Sequence, residues 1–212
     1  MRLASVQIGR IAPLGPDGVP SGIVKHPVDG PVAVGPLGLE GDEQADLSVH
    51  GGPDKAVYGY AASHYARWAG EHPHFAERLE PGAFGENLTI EGLEEADLCV
   101  GDVHLIGTAR LQVCQPRQPC FKFALRLGDP RAPKAMVRSG RAGWYYRVLM
   151  PGTLQAGDTI ERIERPHPDL PFPRMVEIVN FGTATPQELS AISAAAGVAA
   201  WLRAQARAAL RD

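Results

Sequence analysis

Two stretches with similar wording decide the fold: Gly101-Asp102-Val103-His104-Leu105-Ile106 and Gly157-Asp158-Thr159-Ile160-Glu161-Arg162-Ile163. In each, a Gly-Asp turn launches a short run rich in β-branched and apolar residues, the pattern of a strand entered from a tight turn. The same texture extends outward through residue 165. Further strands are expected at Leu3–Ile8, Ala33–Val34, Leu88–Ile90, Arg110–Val113 and Gly143–Val148. The chain's 24 glycines and 19 prolines are scattered throughout. Short strands broken by Gly, Pro and Asp turns point to a barrel or a sandwich.

One helix is expected to interrupt this pattern, from Lys55 to Ala69. Val57, Tyr60, Ala61, His64, Tyr65 and Trp68 recur there at helical spacing and form one stripe. Beyond residue 165 the character changes. Pro166, Pro168, Pro171 and Pro173 make a stiff linker, and an alanine-rich segment follows. Thr185-Pro186-Gln187-Glu188 is a capping box with proline at the first helical position. Helices are expected at 174–180, from the capping box at Thr185 to Gly197, and at Ala199–Leu210. The expected organisation is a mainly β domain with some helix at 1–165, then a linker and a three-helix unit at 166–212. A unit that small is near the limit for independent folding and is expected to lean on the main domain or a partner.

Composition narrows the function. Of 212 residues, 44% are hydrophobic and 21% charged, as in soluble globular chains. A net charge of −3 without a Lys/Arg block argues against nucleic acid as a partner. No apolar run approaches the roughly 20 residues of a membrane span, and the first residues lack an apolar signal core, so a cytoplasmic location is expected. Three cysteines without a CxxC pair fit a reducing compartment. They are too few for an iron–sulfur cluster, which takes about four thiolates.

Three segments carry candidate chemistry. In Cys114-Gln115-Pro116-Arg117-Gln118-Pro119-Cys120-Phe121-Lys122, two prolines hold the chain extended. Arg117 and Lys122 place Cys120 in a field that favours thiolate, the form that attacks electrophiles or binds soft metals; burial as a small hydrophobe is the other reading. Cys114 and Cys99 lie in strand-like runs and read as structural. In Asp46-Leu47-Ser48-Val49-His50-Gly51-Gly52-Pro53-Asp54-Lys55, the glycines permit close backbone approach and an expected helix start follows. That suits an anion held by free N–H groups and Lys55, with His50 as acid, base or donor. It equally suits a turn in which Asp54 caps the helix. In Gly82-Ala83-Phe84-Gly85-Glu86-Asn87-Leu88, Asn87 offers donors and an acceptor to a heterocycle edge, or serves a turn. Gly143-Trp144-Tyr145-Tyr146-Arg147-Val148 reads as barrel wall, with Arg147 able to face a pocket anion.

Taken in order, these blocks resemble the MOSC domain, named for the C-terminal domain of molybdenum-cofactor sulfurase. With its helical tail the chain looks most like the YiiM-like branch, the 6-N-hydroxylaminopurine resistance proteins. The resemblance implies a mainly β, barrel-like domain followed by a three-helix domain, and it implies molybdenum cofactor as the bound group. It makes Cys120 the metal ligand and names Cys120, His50 and Lys55 as catalytic. Gly51, Gly52, Lys55, Asn87, Arg117, Lys122 and Arg147 become the cofactor-binding set. Pyridoxal phosphate binding is a further family-level association. The implied reaction is reductive removal of oxygen from N-hydroxylated compounds, with electrons from a separate flavin or iron–sulfur reductase. A carrier of the cofactor or of persulfide sulfur, without turnover, is the alternative. A metal-free enzyme in which His50 activates Cys120 is a third.

Overall fold

The strands launched by the two Gly-Asp turns lie side by side. In the computed structural model, which describes residues 1–211, Ile160 pairs with Ile106 and Arg162 with His104. The strands are β1 (Arg2–Ile8), β2 (Ala12–Leu14), β3 (Val19–Ser21), β4 (His26–Pro27), β5 (Val32–Gly35), β6 (Gly38–Leu39) and β7 (Val57–Ala61), then β8 (Leu88–Glu91), β9 (Val103–Ile106), β10 (Ala109–Pro116), β11 (Trp144–Met150), β12 (Gly152–Leu154) and β13 (Ile160–Glu164). Eight of them form one sheet in the order β13-β9-β10-β11-β7-β8-β1-β4. β7 and β8 run parallel, and the other neighbours are antiparallel.

The sheet closes on itself. Leu3 N–H donates to the Asp158 carbonyl at 2.9 Å and Ile160 N–H to that of Met1 at 2.9 Å, joining the start of β1 to β13. Closure removes exposed edges and buries Leu3, Val6, Leu88, Ile90, Ile106, Leu111 and Tyr146 inside.

The expected helix over Lys55–Ala69 is corrected. Val57–Ala61 is a strand with all five residues buried, and α1 spans only Ser63–Glu71. β7 is central and covered on both faces, so its apolar residues run on without alternating. An unbroken apolar run satisfies a helical template as readily as a strand one. Lys55 instead ends a single 3-10 turn, Pro53–Lys55, so the expected helix N-terminus behind Gly51-Gly52 is absent. Two helices went unforeseen: α2 (Phe121–Leu127) and α3 (Ala132–Ser139). Phe123, Leu127, Ala132 and Met136 from these helices join Tyr58, Tyr60, Trp68 and Phe84 in a second apolar cluster beside the barrel.

After β13 come α4 (Phe172–Phe181), α5 (Pro186–Ala194) and α6 (Ala200–Ala209). Thr185 caps α5 in the capping box read from sequence. Phe172, Met175, Val176, Ile192, Leu202 and Ala206 belong to the same apolar core as the barrel strands. The tail therefore completes that core and does not form one of its own. Its docking is specified at the backbone. The β10–β11 register shifts between Val113 and Gln115. This bulge at Cys114 leaves its carbonyl to accept from Ala199 N–H at 3.0 Å. Asp54, on the barrel, accepts from Ala200 N–H at 2.7 Å and so caps α6. Its other oxygen accepts from Arg147 Nε at 2.7 Å. No helix among the described residues is long and apolar enough to cross a membrane.

Asp54→Ala removes a helix cap and leaves a half-buried arginine without its carboxylate. We expect a loss of about 2 kcal/mol, read as a lower urea midpoint, with earlier proteolysis in the tail. An unchanged midpoint would contradict the latch.

Candidate active site

Cys120 stands where two concavities meet. One is a pocket in the barrel wall, the other a groove running along the tail; Cys120, His50, Gly51, Lys55, Gln118 and Tyr145 line both. β10 ends at Pro116, which pairs with Trp144 and has no N–H to continue the ladder. The chain then turns outward through Arg117 and reaches Cys120 in extended conformation, φ −109° and ψ 174°, immediately before α2. The extended reading from sequence thus holds at the thiol itself.

Burial pushes the Cys120 thiol pKa up, but a hydrogen bond from His50, the Arg117 charge and the Lys122 backbone N–H outweigh it and bring the value down to about 7. The other two thiols go the opposite way. Cys114 is buried, donates to the Asp54 carbonyl at 3.0 Å, and is raised well above the thiol range, chiefly by burial. Burial also raises Cys99. Cys120 is therefore the thiol poised to ionise near neutrality.

Arg117 is 5% exposed. Its guanidinium lies 5.3 Å from the centre of the Tyr58 ring and 4.9 Å from that of Phe123, and Nη1 donates to Met136 Sδ at 3.0 Å. No carboxylate pairs with it among the described residues. A buried cation without a counter-ion is costly, and such a site attracts an anion. Two further cations face the same pocket without ion pairs. Lys55 Nζ donates to the Val49 carbonyl at 2.6 Å, and Lys122 Nζ to that of Pro20 at 2.9 Å. Burial lowers the Lys55 pKa.

The remaining sequence candidates divide. Gly51 and Gly52 have φ of +75° and +81°, which only glycine adopts without strain, and they shape the loop carrying His50. Asn87 lines the pocket, but its amide is committed to the fold. Oδ1 accepts from Tyr58 N–H at 3.1 Å, and Nδ2 donates to Gln7 O at 3.2 Å and Asp42 Oδ2 at 3.0 Å. Neighbouring Glu86 turns back to accept from Gly82 N–H at 2.6 Å and Phe84 N–H at 3.0 Å, holding the second glycine loop together. Arg147 borders the groove, where its ion pair with Asp54 joins barrel to tail. Asn87 and Arg147 thus have demanding structural work that their sequence readings, a heterocycle edge and a pocket anion, did not include.

Several pocket groups carried no sequence signal. Lys25 and Asp42 form a buried ion pair. Asp42 Oδ1 also accepts from Gly9 N–H at 2.8 Å, clamping the loop that leads to His50. This loop crosses so close that a Cβ on Gly22 would lie 2.0 Å from the Glu43 carbonyl oxygen. Tyr58 and Tyr145 supply an aromatic wall. Trp201, in the first turn of α6, borders the groove.

A closed β barrel with one activated thiol at its lip, uncompensated cations inside and a docked helical tail is a recognisable class. The MOSC domain model matches residues 46–161, more than half of the 212. Protein YiiM of Escherichia coli K12 is 44% identical over 150 residues, 71% of this chain and 67% of that one. A reductase of Gibberella moniliformis is 43% identical over 169 residues, 78% of this chain but 30% of that protein. The crystal structure of YiiM from Geobacillus stearothermophilus superposes with a TM-score of 0.81 at 32% identity, covering 99% of this chain and 98% of that one. The chain belongs to the MOSC domain family, in its YiiM-like branch.

Proposed function

We propose that this protein is a molybdenum-cofactor-dependent reductase of N-hydroxylated compounds. The observation that carries the reading is Cys120: a thiol with its pKa brought to about 7, at the junction of pocket and groove, beside a buried cation that no carboxylate neutralises.

The residues fit the cofactor. A thiolate is a soft ligand that suits molybdenum bound to sulfur, and Arg117, Lys55 and Lys122 suit the phosphate of its pterin. Among the described residues no three His, Cys, Asp or Glu side chains gather as a metal site, which agrees with a metal that brings most of its ligands with it. Pyridoxal phosphate fits less well, because it needs a free lysine amine. Lys25 is ion-paired with Asp42, while Lys55 and Lys122 each donate to a backbone carbonyl.

When bound, the cofactor supplies the two-electron chemistry. Converting R–NH–OH to R–NH2 consumes two electrons and two protons and releases water. The electrons come from a separate flavin or iron–sulfur reductase. Cys120 holds the metal. Arg117 and Lys55 hold the anionic part of the cofactor, and the Arg117 charge also keeps the thiol ionised. His50 lines the same pocket and groove as Cys120, where it can hold or deliver a proton beside the reacting centre. The relative named as a reductase supports the direction of the reaction.

The test is turnover of 6-N-hydroxylaminopurine by cofactor-loaded protein with an artificial electron donor. Formation of adenine above the cofactor-free control is expected. Retained molybdenum with no adenine formed, whichever donor is supplied, would favour the carrier without turnover.

A further inference from the structure

We propose that Trp201 is a specificity-determining residue, a rigid stacking platform that selects flat heteroaromatic substrates; this rests on the reductase reading above. The chain has three tryptophans. Trp68 and Trp144 are wholly buried, whereas Trp201 is 38% exposed. Attachment of α6 does not explain an exposed indole, because the neighbouring Leu202 and Ala206 already bury the apolar face of that helix.

Trp201 is also held still. Its Nε1 donates to Gln115 Oε1 at 2.5 Å, and Gln115 Nε2 donates to the Asp54 carbonyl at 2.6 Å. The Asp54 carboxylate caps the helix one residue before the indole, at Ala200. The ring is thus fixed before any ligand arrives, which lowers the entropy cost of binding against it. The loop that carries His50 contributes Leu47 and Val49 to the same groove, 76% and 54% exposed. Cys120, His50 and Lys55 line it too. Apolar walls leading to a reactive, polar end suit a flat ring that carries its N-hydroxyl group inward. A small aliphatic hydroxylamine would gain nothing from the indole.

The test compares Trp201→Ala and Trp201→Phe with wild type on 6-N-hydroxylaminopurine and on N-methylhydroxylamine. For Trp201→Ala we expect kcat/KM for the purine, relative to the small substrate, to fall about tenfold or more, the size of a lost base–aromatic stack. Phenylalanine should restore most of that ratio. Equal losses on both substrates, or no change in the ratio, overturn the proposal. So does slower electron delivery from a reductase protein with an unchanged ratio, which would make this face a protein-docking surface. A second readout needs no turnover and stays decisive if the reductase reading fails. Adenine titrated into cofactor-free protein should quench tryptophan emission in wild type and leave Trp201→Phe, whose remaining tryptophans are buried, unquenched. Equal quenching in both, or none in wild type, also overturns it.

Discussion

Cys120→Ala protein purified from a host that makes molybdenum cofactor is expected to carry molybdenum only at background, while the wild-type chain retains it. The loss should exceed the roughly 100-fold that removing an outer-shell partner of a metal costs, because the substitution deletes the protein's own ligand. Reduction of 6-N-hydroxylaminopurine should vanish with the metal. The fold should not suffer, since Cys120 is only half-buried and its position is an extended residue ahead of α2. Thermal unfolding is expected to change by less than about 1 kcal/mol. Elemental analysis decides the matter. Equal molybdenum in both proteins would remove Cys120 as the ligand and return weight to a metal-free thiol enzyme.

Arg117→Met should separate stability from function. The guanidinium sits among Tyr58, Phe123 and Met136 without a carboxylate, so a methionine of similar length replaces a desolvated charge with apolar contact. Such replacements are often neutral or stabilising, by about 1–4 kcal/mol, and the variant is expected to unfold at an equal or higher temperature. Its chemistry should worsen. The Arg117 charge is one of the forces holding the Cys120 pKa down at about 7, so the variant's alkylation by iodoacetamide should titrate at higher pH. The sign follows from the charge: removing a cation disfavours the thiolate and raises the pKa. Cofactor retention should weaken as well. A lower unfolding temperature with an unmoved thiol titration would mean that Arg117 serves packing alone. The expected pattern is a stability–activity trade-off, in which a destabilising cation persists because the ligand neutralises it.

Much of the molecule was legible in the one-dimensional pattern. The Gly-Asp turns marked β9 and β13, and strands near β1, β8, β10 and β11 followed from short apolar runs between turn residues. The capping box at Thr185 marked α5 because a cap is a local hydrogen-bond arrangement within four residues. The extended backbone and cationic surroundings of Cys120 were legible for a similar reason, since prolines and cations within four residues set them. The helix over Lys55–Ala69 failed because β7 is buried on both faces, and its residues obey neighbouring strands that lie far away in sequence. α2 and α3 were lost because short helices against an aromatic cluster show too little periodicity to stand out.

The features legible along the chain are local: turns, caps, strand starts, and a thiol placed between cations. Which cations lack partners emerges only on folding, because pairing depends on residues brought from elsewhere. Lys25 finds Asp42, and Arg147 finds Asp54 across 93 residues, while Arg117 finds only rings and a thioether. Folding also brings the tail to the groove that Cys120 lines. A bulge at Cys114 frees a carbonyl for Ala199, Asp54 caps α6, and Trp201 comes to rest over a groove that reaches Cys120. Charge compensation and domain docking are long-range, and only the folded chain brings those groups within reach of one another.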